Sequence, residues 1–82
     1  MPYRPLYEIA AEIDCEWKTL RGAAQPYIDA MRTLQSASDR YGFETGSEMV
    51  QSFLINAQTW RGEVARRVKL ELRAILKAFP VR

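Results

Sequence analysis

Residues 60–78, WRGEVARRVKLELRAILKA, carry the strongest periodic signal in the chain. Val64, Val68, Leu72, Ile75 and Phe79 recur one helical turn apart, with Ala65 and Leu76 at their flanks. That repeat matches 3.6 residues per turn and predicts a helix over 60–78 with one apolar side. Thr59 stands where an N-cap would, and Glu63 in the first turn suits the positive helix end. Pro80 stops the helix.

The opposite side of this helix is basic. Arg66, Lys69, Arg73 and Lys77 fall within an arc of roughly 80° at about 100° per residue. Arg61 and Arg67 widen the positive potential on either side. Leu70 points into the basic arc, away from Val68, Leu72 and Ile75. An apolar centre ringed by cations is a common form of small protein contact. The same pattern also fits a solvated face whose long side chains cover apolar surface with their stems.

Working back from this helix, residues 47–57 predict a third helix capped by Thr45 or Ser47. Its inward stripe is Met49, Val50, Phe53, Leu54 and Ala57. Asn56 to Thr59 read as a break. The Trp60 indole is expected to close the core where two helices meet, and Gly62 to let a neighbouring helix come close. Phe43 to Gly46 form a connector. A second helix is expected over 26–41, with Tyr27, Ala30, Met31 and Leu34 inward, continued by Ala37 or Tyr41, and ending at Gly42. A first helix is expected over 5–21. Pro5 suits its first turn, Leu6, Ile9, Ile13, Trp17 and Leu20 form its stripe, and Gly22 stops it. An alternative fuses these two helices through Ala23 and Ala24, against the interruption that Gly22 and Pro26 impose. No stretch alternates as a strand does. The expectation is an all-α, compact four-helix domain spanning residues 1–82.

The first helix has a charged edge of the other sign. Glu8, Glu12 and Glu16 are four residues apart and share one face, with Asp14 nearby. This edge reads either as solvated surface or as a docking surface for a basic partner, including the last helix of a second copy.

The chain has 82 residues, enough for one domain that buries roughly 60–65% of its unfolded surface. At 48% hydrophobic residues it belongs among folded proteins. The core has little surplus, so a homodimer is a reasonable expectation. The formal charge is +2, but residues 1–41 carry a net −1 and residues 42–82 a net +3. Neither a globally acidic nucleic-acid mimic nor a wholly basic coating protein fits that distribution. Cys15 is the single cysteine, which excludes an internal disulfide and suits a reducing cytoplasm. Glu8, Glu12, Asp14 and Glu16 interrupt the apolar positions a secretory leader would need. No apolar run approaches the ~20 residues of a membrane span.

Little in the composition builds an active site. There is no histidine, so the commonest general base and neutral metal ligand are missing. The four glycines are isolated, with no phosphate loop among them. Cys15 sits among carboxylates, a poor setting for a nucleophilic thiolate. The glutamates of the first helix form a stripe rather than a pocket. No enzyme activity, cofactor or metal is expected.

Tyr27 and Trp17 read as core or core-edge groups, and Tyr3 and Tyr7 as packing towards the last helix. Tyr41 and Phe43 bracket Gly42. Tyr3, Tyr7 and Tyr41 would form a protein-binding spot if they converge.

The stretch Phe53 to Lys69, FLINAQTWRGEVARRVK, with Pro26-Tyr27 and Asp39-Arg40-Tyr41-Gly42 before it, resembles a group of small accessory proteins encoded by phages, plasmids and integrated elements of bacteria. The resemblance covers most of the chain. It implies an accessory role in a bacterial cell, countering a host defence such as a restriction or CRISPR nuclease, and it carries over no catalytic or binding residue.

The resulting expectation is a non-catalytic protein-interaction module, an inhibitor of a nucleic-acid-handling protein. Its candidate contacts are Arg66, Lys69, Leu70, Arg73 and Lys77 on the basic side, and Glu8, Glu12 and Glu16 on the acidic side. Two alternatives stay open. One is a DNA-binding regulator with a helix-turn-helix in which Thr59-Trp60-Arg61-Gly62 open the recognition helix and Arg61, Arg66 and Lys69 face DNA. The other is a structural homodimer.

Overall fold

In the computed structural model, which describes residues 3–19 and 21–81, four α-helices enclose one apolar core. They are α1 (Leu6–Glu16), α2 (Gln25–Met31), α3 (Gly46–Asn56) and α4 (Glu63–Ala78). The four expected helices are all present. Their ends differ from expectation, and each difference has a local cause.

The first helix was expected to reach Arg21 but ends at Glu16. Trp17 leaves in an extended conformation and its side chain turns into the core. Arg21 then folds back over the helix end. Its guanidinium donates to the carbonyls of Trp17 and Asp14, the latter at 2.8 Å. The last carbonyls of a helix lack partners within it, and Arg21 supplies one. Leu20, expected on the inner stripe, lies outside the described residues. Gly22, at φ +48°, opens a 3-10 turn, Gly22–Ala24, that leads into α2. Helices α1 and α2 are therefore not fused.

The second helix was expected to run to Tyr41 but stops ten residues earlier, at Met31. The first N–H groups of α1 have no acceptor within their own helix. Leu6 donates to the Gln35 carbonyl (3.0 Å) and Tyr7 to the Leu34 carbonyl (2.9 Å). Those carbonyls are thereby taken from any continuing helix. The Asp39 carboxylate then accepts from the N–H groups of Gln35 and Ser36 (3.1 and 3.0 Å). Leu34 and Ala37 are buried as expected, but from an ordered loop rather than a helix. Ile28, omitted from the expected stripe, is fully buried.

The expectation of no strand needs one small correction. Arg40–Tyr41 and Glu44–Thr45 pair antiparallel around Gly42, whose φ is +66°. Thr45 then caps α3. Its hydroxyl accepts from Glu48 N–H (3.3 Å), and the Glu48 carboxylate accepts from Thr45 N–H (2.7 Å). Such a reciprocal box contributes about 1 kcal/mol. Ser47, the other candidate cap, is buried instead, and its hydroxyl donates to the Phe79 carbonyl at 2.6 Å.

The fourth helix starts at Glu63, three residues later than expected, so Thr59 does not cap it. Gly62 precedes it at φ +115°, a conformation that side chains other than glycine rarely adopt. A Cβ there would meet nothing within 4 Å, so close helix packing, the reason expected for this glycine, is not its role.

Phe53 lies fully buried among Leu6, Ile9, Ile13, Ile28, Met31, Val50, Val68 and Leu72 in the core. At one end Trp17 and Trp60 stack with centroids 5.6 Å apart, and Phe53 meets both edge-on. Trp60 thus closes the core between α3 and α4, as its position in the sequence implied. Tyr3 packs edge-on against Phe79 at 6.5 Å.

Candidate functional site

Burial of Ala65, Val68, Leu72 and Ile75 fixes the rotation of α4. The residues on its other side must then face outward. Arg66, Arg73 and Lys77 are exposed there, and Leu70 is exposed beside them, at 59%. Among the described residues none of these three cations forms an ion pair with a carboxylate of this chain.

Lys69 behaves differently from its neighbours. It is half-buried, and its ammonium donates to the Trp60 carbonyl at 2.7 Å. Partial burial, and behind it the charges of Arg73 and Arg61, lower its pKa. Arg61, Arg66, Lys69 and Arg73 line an open cleft of about 290 Å³ beside Trp60, Gly62 and Ala65. Arg61, expected beside Arg66 and Lys69 from within the helix, reaches this cleft from the loop before α4.

Two of the four acidic residues on α1, Glu12 and Asp14, are engaged within the molecule. The Glu12 carboxylate accepts from Arg4 (2.8 Å) and from Arg67 of α4. Arg4 also donates twice to Glu71, at 2.7 and 2.9 Å. Asp14 pairs with Arg21 and with Arg32. Glu8 and Glu16 are exposed and form no ion pair among the described residues. Of the three glutamates only Glu12 is engaged within the described residues: it fastens α1 to α4, and a partner would have to displace Arg67 and Arg4 to reach it.

The Arg67 hydrogen bond, with that of Arg4 behind it, holds the Glu12 carboxyl below the usual glutamate range, although partial burial pushes it up. A carboxyl with a depressed folded-state pKa stabilises the fold above its unfolded value of about 4.3, and that contribution fades as pH falls through the folded value. Glu12→Gln is therefore expected to lose stability at neutral pH, and its gap to the parent chain should narrow as pH falls from about 4.3 towards the depressed folded value. Urea midpoints measured from pH 7 to pH 3 check this. A gap that stays constant across the series would refute the assignment.

The helix-turn-helix expectation meets a different geometry. Thr59 to Gly62 lie outside α4, and the Trp60 ring is turned into the core. The connection runs from Ala57 to Gly62, longer than the 3–4 residues of such turns. Any recognition helix would begin at Glu63.

Elsewhere, Tyr7, Tyr41, Ile55 and Phe43 are exposed, Phe43 almost completely. Cys15 is exposed. Among the described residues no three His, Cys, Asp or Glu side chains converge where a metal could sit. No described helix is long and apolar enough to cross a membrane. No protein-family model, curated protein or solved structure matches the chain.

Proposed function

We propose that this chain is a non-catalytic protein-interaction module, an inhibitor encoded by a bacterial mobile element, that docks on a nucleic-acid-handling protein through the outer face of α4. Leu70 carries the reading. It lies exposed among Arg66, Arg73 and Lys77, which have no carboxylate partners among the described residues. The ring from Arg66 to Lys77 spans about 16 Å along the helix, the scale of a compact contact. A partner surface with an apolar pocket rimmed by Asp and Glu would bury the leucine and neutralise its surround. Enzymes that act on nucleic acids with metal ions hold those ions through carboxylates, the class of group these cations would meet. The resemblance of residues 53–69 to accessory proteins of phages and plasmids supports the mobile-element part of the reading.

The test uses the chain as bait in a nuclease-treated lysate of the host bacterium. A captured protein should be retained by the parent chain and lost by Leu70→Glu. Because Leu70 contributes nothing to the core, the variant should keep its helical spectrum and unfold within about 0.5 kcal/mol of the parent. Capture unchanged by Leu70→Glu removes the proposed contact. Binding only to nucleic acid in an untreated lysate would favour the regulator alternative.

A further inference from the structure

A cluster of uncompensated charge lies towards the start of α4, sharing Arg66 and Arg73 with the ring around Leu70 and adding Arg61 and Lys69. Arg61, Arg66, Lys69 and Arg73 converge there on one cleft of about 290 Å³. The remaining lining residues, Trp60, Gly62 and Ala65, are uncharged. Glu63 and Glu71 are the acidic residues nearest in sequence, and neither lines the cleft. Glu71 is turned away to Arg4. Four like charges on one concavity repel one another, and Lys69 is also partly withdrawn from water with only a carbonyl for a partner.

We infer that this cleft binds a phosphate group. A carboxylate would bring two oxygens and one charge. Free phosphate brings more charge and more acceptor oxygens, and a backbone phosphodiester, with one charge per group, brings successive groups along the strand; planar guanidinium groups engage such oxygens in pairs. The observed donors fit that demand: three arginines open to solvent, and one lysine whose ammonium is held in place by the Trp60 carbonyl. A bound phosphate would also favour the charged form of Lys69, opposing the burial and the Arg73 and Arg61 charges that lower its pKa. The phosphate could be free in solution or part of a nucleic-acid backbone, and the chemistry of recognition is the same.

The probes are inorganic phosphate at constant ionic strength, sodium acetate as the carboxylate control, and a short DNA duplex at low salt. Amide shifts of Gly62, Arg66 and Lys69 should saturate with phosphate and not with acetate. The Arg61→Gln/Arg66→Gln double variant should bind roughly tenfold or more weakly, since it loses charge-assisted hydrogen bonds. Saturable binding of phosphate alone, lost in the double variant, identifies a free phosphate. Saturable duplex binding, lost in the same variant, identifies a backbone phosphate. No saturable response to either probe, an equal response to acetate, or an unchanged response in the double variant overturns the site. Arg61 lies outside the ring around Leu70, so Arg61→Gln should weaken the phosphate response while leaving the protein capture described above intact. The two proposals can therefore fail separately.

Discussion

Replacing Phe53 with alanine is expected to remove about 3–5 kcal/mol of stability, the range for truncating a fully buried aromatic side chain. Phe53 is completely buried and meets Trp17 and Trp60 edge-on at 6.3 and 6.4 Å. The loss combines the transfer of the ring with the cavity left between α1, α3 and α4. The stacked tryptophans resist collapse into that space, because each already has the other on one face. A domain of this size has about 5–15 kcal/mol in total. The melting temperature should fall by roughly 12–40 °C, measured by circular dichroism at 222 nm or by calorimetry. A loss under about 1 kcal/mol would mean that the aromatic end of the core is not packed as described. The consequence reaches the basic cleft, because the Trp60 carbonyl anchors Lys69. The variant should therefore weaken any phosphate response even at temperatures where it stays folded.

Gly46→Ala is expected to destabilise by about 1–3 kcal/mol, although helix propensity argues for a gain of up to about 1 kcal/mol. Gly46 is the first residue of α3. A Cβ there would lie 2.7 Å from the Ser36 carbonyl oxygen and 2.9 Å from the Ala37 Cα. Both are backbone atoms, and their segment is tied on several sides. Gly46 N–H donates to the Asp39 carbonyl at 2.7 Å, Ser47 N–H donates to Ala37 at 2.9 Å, and the Asp39 carboxylate accepts from Ser36. Relief of the clash would pull the loop off α3 and disturb the carbonyls that receive the start of α1. Sterics should therefore outweigh propensity, and the sign of the change measured by urea unfolding decides between them. A more stable variant would refute the close approach.

These two residues illustrate different degrees of legibility. Phe53 stands out in the sequence because Met49, Val50 and Phe53 repeat at helical spacing and share a buried stripe. Gly46 reads only as a connector, since its constraint comes from Ser36 and Ala37, which no pattern places beside it. The basic face divides in the same way. Periodicity alone turns Leu70, Arg66, Arg73 and Lys77 away from the core. The retraction of Lys69 onto Trp60, and the arrival of Arg61 at the same cleft, depend on the path of the loop before α4.

The periodic stretch at 60–78, read alone, determined that this segment is helical, which side of α4 is apolar and which is basic. Hydrophobic spacing carries that information because burial selects one side of a helix regardless of what covers it. Only the tertiary structure decided where α1 and α2 stop and which charges remain unpaired. The carbonyls of Leu34 and Gln35 serve the start of α1, and Arg21 serves its end. Glu12 finds Arg67, 55 residues away, and Arg4 finds Glu71, 67 residues away. Hydrogen bonds and ion pairs are satisfied by whichever groups packing brings together, so their partners follow from the completed fold rather than from local sequence.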